Sequence, residues 1–270
     1  MRQYVPGDRL SWIDWNASAR LSRLRDEDVF VVRQYYEEVA PRVVVVTDRR
    51  PSMGLYAPPF PWLSKVDAMR EATTAIIAAA HAARAYVGYL DVGRRADGEV
   101  APHWIAPNRQ SGRQISHRLG LGFDAPQGSL ELALDYLLTR RQDVPAGSFV
   151  FLLSDFLDPP GRHVWSRGYA AGWEIVPVVV QDPVWEQSFP PVEGLLLPIS
   201  DPRSGSIGSL RLTRDDVAER REANAARLRN LLQDFRAHRL EPVVVGTSDP
   251  FAIDEAFIRW ASRRRMRRAR

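Results

Sequence analysis

Cysteine is absent from the 270 residues, which excludes disulfides, thiolate metal centres of the zinc-finger kind and cysteine nucleophiles, and leaves the redox compartment open. Lysine is nearly absent: Lys65 is the only one, so the formal charge of +4 rests on arginine. Arginine is the better residue for fixed pairing with carboxylates or phosphates, but a bias spread over a whole chain equally reflects genome composition and says little about any one site. No run is apolar and long enough for a bilayer span. The longest candidate, ATTAIIAAAHAARAYVGYL, carries His81 and Arg84 and has an amphipathic pattern. No signal peptide precedes the first motif, so the expectation is a soluble, cytoplasmic chain, membrane-associated if an upstream anchor has been removed.

Several catalytic signatures are missing as well. There is no G-x-x-x-x-G-K-[ST] phosphate loop and no G-x-S-x-G nucleophile turn. The five histidines, His81, His103, His117, His163 and His238, are scattered without metal-ligand spacing. Internal repeats and low-complexity segments are also lacking, apart from the arginine-rich end.

What is present is an alternation of buried strands and helices. A 45% hydrophobic content suits one large core. Val43–Thr47, SFVFLLSDFLD, WEIVPVVVQD and LEPVVVG read as strands covered on both faces, and YVGYLDV with EVAPHWIAP flanks a hairpin turn at Gly93–Gly98. Helices are predicted over Lys65–Ala85 with Ser64 as N-cap, Gln110–Leu119, Leu130–Arg140, Thr213–His238, and from Asp249 to the arginine run. The fold class is therefore α/β: a doubly wound, mostly parallel sheet with helices on both faces, Rossmann-like, of order 3-2-1-4-5-6. The expected organisation is an N-terminal arm over 1–42, with an extended piece at Val29–Tyr36, a main domain over 43–262 and an arginine-rich tail over 263–270.

In that order Val43–Thr47 and Phe149–Ser154 are neighbours at the switch point, where the following loops diverge and leave a crevice. Asp48 and Asp155 should face each other across it. Two carboxylates with the hydroxyls of Ser52 and Ser129 have the chemistry of a Mg²⁺ or Mn²⁺ site. The other reading is that both are strand-end acids that cap helices or pair with Arg49 and Arg50.

These residues also carry a resemblance. VVVVTDRRPSM, GSLELAL and FLLSDFLD resemble the three-part metal-ion-dependent adhesion site of von Willebrand factor A-like domains, whose first part is D-x-S-x-S. Upstream, YVPGDRLSWIDWNASARL with VVRQYYEE resembles the hallmark of a bacterial family, the domain of unknown function 58 proteins. The resemblance covers essentially the whole chain. It implies a von Willebrand factor A-like fold, with Asp48 and Ser52 at the first and last ligand positions, Ser129 in place of that family's threonine and Asp155 as the acid of the third part. Arg50 occupies the middle serine position, and there the pattern fails.

A guanidinium about 4 Å from a divalent ion, at an effective dielectric of about 20, is repelled by roughly 8 kcal/mol. The metal site is therefore expected to be lost or degenerate, with Arg50 paired to Asp48 and Asp155 in place of the ion, unless Arg50 swings its head to solvent and leaves a Mg²⁺ or Mn²⁺ site short of one hydroxyl. No other cofactor is implied.

The resemblance further implies a non-enzymatic protein-binding adaptor whose partner is a MoxR-type AAA+ ATPase, since the family is commonly encoded beside such ATPases, in assembly or maturation of a complex. Members often carry membrane helices before the hallmark, at which this sequence begins, so a truncated chain or a soluble branch is expected. The expected partner crevice is Asp48, Arg50, Ser52, Ser129 and Asp155. Trp12, Asp14, Trp15 and Arg20 in the hallmark form a second candidate surface, because tryptophan and arginine dominate interface hot spots; alternatively the two tryptophans pin the arm.

Two other function classes stay open. One is a metal-dependent phosphoesterase or nuclease using Asp48, Asp155 and Asp158. The other is nonspecific nucleic-acid binding through Arg263–Arg265, Arg267, Arg268 and Arg270, for which a solvated helix end is the simpler account. No specific nucleic acid is expected.

Overall fold

The computed structural model describes residues 2–3, 13–25, 27–32, 40–55, 63–95, 97–194, 196–200 and 207–268. The chain divides into two compact units, Met1–Val39 and Ala40–Arg270.

In the first unit, strands β1 (Arg2–Gln3) and β2 (Val31–Val32) pair antiparallel, and helix α1 spans Trp15–Arg25. Asp14 caps α1, its Oδ1 accepting from the Ala17 amide at 3.1 Å. The Ser18 hydroxyl accepts from the Val31 amide at 2.9 Å and ties the helix to β2. The extended segment expected over Val29–Tyr36 is seen as strand only at Val31 and Val32; residues 33–39 lie outside the described residues, as does Trp12. Helix α1 was not anticipated, because WNASARLSRLR has only two leucines and no sustained apolar stripe.

The second unit is built on a six-stranded sheet of order β5-β4-β3-β6-β7-β10. Its strands are β3 (Arg42–Thr47), β4 (Tyr86–Arg94), β5 (Val100–Asn108), β6 (Phe149–Ser154), β7 (Glu174–Val180) and β10 (Val243–Val245). All are parallel except β5, which returns antiparallel on β4 as the predicted hairpin. This is the predicted 3-2-1-4-5-6 arrangement with β3 first and β6 fourth. Between β7 and β10 stands a separate antiparallel pair, β8 (Leu196–Ser200) and β9 (Ile207–Arg211), which was not anticipated.

The period-two alternation of a strand assigns the valines of β3 to opposite faces. Val43 and Val45 join α2 (Lys65–Ala82), α3 (Gly112–Leu119) and α7 (Pro250–Arg268) in one core. Val44 and Val46 join α4 (Ser129–Thr139), α5 (Arg162–Ala170) and α6 (Arg214–Ala237) in the other. Val44, Val45 and Val46 are fully buried, which stabilises by about 1.5–3 kcal/mol per side chain. Covered on both faces, β3 can present chemistry only at its ends.

The helix limits have local causes. The Ser64 hydroxyl accepts from the Asp67 amide at the start of α2, as predicted, and Thr213 and Asp216 form a capping box at the start of α6. Helix α7 continues through Arg268, so the arginine run from Arg263 is helical that far. Helix α5 escaped the sequence reading because DPPG precedes it and reads as a turn. Its Trp165 packs edge-on against Phe235 of α6 at 5.8 Å, and Phe156 meets Phe235 at 5.2 Å. Among the described residues, no helix is long and apolar enough to cross a membrane.

One buried polar network braces β3 against β4. Thr47 and Tyr89 hydroxyls lie 2.6 Å apart, Tyr89 donates to Asp91 at 2.8 Å, and Arg118 of α3 grips both Asp91 oxygens at 2.7 Å. Burial, first, and the Asp91 charge push the Tyr89 phenol well above its ordinary value, so it stays a donor. Removing one partner of a buried pair leaves the other charge uncompensated. Arg118→Ala should cost about 3–5 kcal/mol in urea unfolding. Arg229→Ala, which breaks a pair whose side chains are 63% and 74% exposed, should cost about 0–1 kcal/mol.

Candidate functional site

Strand β3 ends at Thr47, opposite Leu153 of β6, and the Asp48 amide adds one more bond to the Leu153 carbonyl at 2.9 Å. Asp48 is thus fixed at the carboxyl edge of the sheet, where loops after β3 and β6 part. It is 1% exposed, and Asp155, one residue past the end of β6, is fully buried.

Arg50 fills the space between them. Its Nε donates to Asp48 Oδ2 at 2.9 Å and Oδ1 at 3.1 Å, and Nη2 donates to Oδ2 at 2.6 Å. The Arg50 amide also donates to Asp48 Oδ1, at 2.9 Å. Nη2 further reaches Ser154 Oγ at 3.3 Å and lies 3.6 Å from Asp155 Oδ1. On the outer side Nη1 donates to the Asp158 carbonyl at 3.1 Å and meets its Oδ2 at 3.4 Å. Burial acts against the Arg50 charge, but the hydrogen bond and charge of Asp48, with Asp155 and Asp158 behind it, outweigh burial and raise the guanidinium above its ordinary value.

A second cation completes the cluster from below. The Lys65 ammonium, fully buried at the first position of α2, donates to Asp155 Oδ2 at 3.1 Å, to the Ser52 carbonyl at 3.1 Å and to Glu186 Oε1. Glu186 Oε2 accepts from the Asp182 amide at 2.8 Å. Burial favours the neutral form of Asp155, yet Lys65, the Ser52 hydroxyl, the Leu157 amide and Arg50 together hold its carboxyl below the usual range. Glu186 behaves oppositely. Burial, only partly offset by Lys65 and reinforced by Asp155, holds it above its usual range.

The backbone after β6 is strained to make this possible. Phe156 has φ 48°, a left-handed conformation disfavoured for a bulky side chain, and its amide donates to Ser154 Oγ at 2.9 Å. The aromatic packing of its ring against Phe235 holds it there, and the chain turns back so that Asp158 meets Arg50. Arg49 does different work: it donates to the Gly122 carbonyl at 2.7 Å and lies over the Phe123 ring at 4.7 Å, anchoring the segment between α3 and α4.

Of the residues singled out from sequence, Asp48, Arg50, Ser52 and Asp155 come together. Ser129 opens α4 and is buried, flanked by Gly128 and Leu130 that line a small pocket with Arg50 and Asp158, but its hydroxyl makes no hydrogen bond to them among the described residues. Lys65, Ser154 and Glu186 were not foreseen. Lys65 gave a signal, as the only lysine of the chain placed at a helix N-terminus, where a cation is disfavoured. In the first unit, Asp14 is buried as a helix cap, Arg20 is exposed, and Trp15, 62% exposed, meets Phe30 edge-on at 6.1 Å.

The donor set does not suit a divalent cation as it stands. Both oxygens of Asp48 already receive Arg50, and those of Asp155 receive Lys65 and the Leu157 amide. Among the described residues no three carboxylate or imidazole groups converge as a metal centre. Outside Arg50 opens a cleft of about 620 Å³, lined by Ser52, Arg94, Asp124, Gln127, Leu157 and Asp158. Its walls are polar at Arg50 and apolar at Pro51, Ala125 and Pro126, the mixed lining of a site for a small polar group.

A doubly wound sheet with a charged crevice at its switch point is thus the class the fold and site define. The family model described as protein of unknown function DUF58 matches residues 1–231, and the chain belongs to that family. No curated protein matches it significantly. Three solved structures resemble it at a distance. They are an aerotolerance-related membrane protein from Bacteroides fragilis (13% identity, 73% of this chain and 99% of that one, TM-score 0.41), the pilus adhesin SpaC from Lactobacillus rhamnosus GG (10%, 84% and 30%, 0.48) and an uncharacterized membrane spanning protein from Vibrio fischeri (13%, 80% and 97%, 0.26). Likenesses at these scores carry no argument about the site.

The two buried acids pull pH dependence in opposite directions. Asp155, held below 3.8, contributes stability that is present above that value and is lost as pH falls through its lower folded value. Glu186, held above 4.5, keeps a proton in the folded state that the unfolded chain has already released, so stability falls as pH rises from 4.5 to its folded value. Urea unfolding between about pH 4 and pH 8 should show that fall in the natural chain and its disappearance in Glu186→Gln.

Proposed function

We propose that this chain is a non-enzymatic protein-interaction module, a von Willebrand factor A-like domain in which Arg50 takes the place of the adhesion-site ion. It acts as a cytoplasmic adaptor with a MoxR-type AAA+ ATPase in the assembly or maturation of a protein complex. The observation that supports the reading is the guanidinium fork closed on Asp48 within 3.6 Å of Asp155, with no room left in the donor set for a cation. In metal-bearing relatives of such domains the ion bridges to a carboxylate of the partner. Here a fixed guanidinium, its fork already closed on Asp48, offers a single positive charge and the N–H groups of Nη1 on the cleft side.

Asp158 sits where that partner carboxylate would. It covers Nη1 of Arg50 from the mouth of the cleft, and its side chain is 49% exposed. An incoming acid displaces Asp158 at small cost, since the loop carboxylate returns to water. The phosphoesterase reading has less support: Asp48 and Asp155 are each engaged by a cation and neither is presented to a water nucleophile.

The test is binding to the MoxR-type ATPase encoded in the same genome, measured by sedimentation of labelled chain. Arg50→Gln, folded as judged by circular dichroism, should weaken the complex about tenfold or more, and Asp158→Asn, which removes the internal competitor, should tighten it. Equal affinity for the natural chain and Arg50→Gln would exclude the crevice as the docking point.

A further inference from the structure

At the far edge of the sheet, away from the crevice, β10 has β7 on one side and, among the described residues, no strand on the other. The register pairs Val243, Val244 and Val245 with Val178, Val179 and Val180, and the Gln181 amide donates to the Val245 carbonyl at 3.2 Å. In a parallel ladder, alternate residues send both backbone groups to the same neighbour. Val243 and Val245 therefore serve β7, while the N–H and C=O of Val244 point to the open side. Val244 is 38% exposed between two buried valines.

Beside this edge lies a groove of about 500 Å³. Its apolar floor is Leu232, Leu240 and Val244, and Arg236, Arg239 and Arg263 stand around it, with Glu241 the one acid. All three arginines are exposed, and among the described residues none of them has a carboxylate partner. Arg239 adds an independent sign. It holds φ 58° just past the end of α6, a left-handed position that glycine ordinarily takes, so a strained backbone keeps an arginine at the rim.

We infer that this edge receives an extended acidic segment of a partner protein as an added strand next to β10. Main-chain bonds to Val244 supply register, aliphatic side chains of the segment lie on Leu232 and Leu240, and its carboxylates pair with Arg236, Arg239 and Arg263. Charge complementarity selects the occupant: three exposed guanidiniums, without a carboxylate partner among the described residues, beside the strand edge disfavour a basic or neutral peptide and favour one that alternates acidic and aliphatic residues. The site is independent of the crevice and stands or falls separately from it.

The test uses the full chain and a fluorescein-labelled peptide of alternating glutamate and valine, followed by anisotropy. The acidic peptide should bind saturably, and a lysine-for-glutamate counterpart should not. Arg236→Glu combined with Arg263→Glu, both on exposed helix faces, should weaken binding about tenfold or more. Methylating the peptide amides along one edge should abolish binding, and along the other edge should leave it unchanged. Val244→Pro, which removes the outward N–H and leaves an apolar ring on the groove floor, should weaken it in a chain that keeps its melting temperature. No saturable binding, binding insensitive to amide methylation on either edge, or stronger binding of a single-stranded DNA oligonucleotide at the same arginines would overturn the inference.

Discussion

The carboxyl ends of β3 and β6 bring two acids together where both are buried, and everything around the crevice follows from how that charge is balanced. Arg50 neutralises Asp48 by a hydrogen-bonded fork, and Lys65 lies between Asp155 and Glu186. Neither cation is dispensable to its neighbours. A buried carboxylate that loses its partner is left with its desolvation cost, typically about 3–5 kcal/mol. The same arithmetic explains why Glu186 is the acid held above its usual range: two buried carboxylates share one ammonium, and Asp155 has Arg50, the Ser52 hydroxyl and the Leu157 amide besides, so Glu186, with fewer donors, gives way to burial.

The fold supplies this arrangement by rules that act well below the level of function. Valines buried on both faces fix β3 at the centre, its neighbours diverge at the switch point, and the strained turn at Phe156 returns Asp158 to the outer side of Arg50. Arg49 and Arg50 are adjacent in sequence but serve different ends. One is locked over the Phe123 ring as part of the scaffold, and the other faces the crevice with its charge. An arginine there is permanently charged and geometrically committed, which an exchangeable ion is not.

Much of this was legible from residue order. Buried strands announce themselves as unbroken apolar runs, so Val43–Thr47 and Phe149–Ser154 could be placed at the switch point, and with them Asp48, Arg50 and Asp155. What was hidden depends on contacts remote in sequence. Glu186 lies in a loop 121 residues from Lys65 and carries no local motif. Ser129 was expected among the crevice hydroxyls because it stands where the resembling family has a threonine, but its buried hydroxyl makes no hydrogen bond among the described residues. Helix α5 was masked by the prolines before it, and α1 by a sequence whose apolar spacing is too sparse to betray a helix.

The central claim is that Arg50 does the electrostatic work of an ion, and the most direct measurement is thermal unfolding of the natural chain and of Arg50→Ser in EDTA, Mg²⁺ and Mn²⁺. The account predicts that the natural chain melts at the same temperature in all three, while the serine variant, whose Asp48 and Asp155 have lost the guanidinium, melts lower in EDTA and regains stability with metal. A metal-dependent rise in the natural chain, removed by Asp155→Ala, would contradict it and return the crevice to a divalent cation.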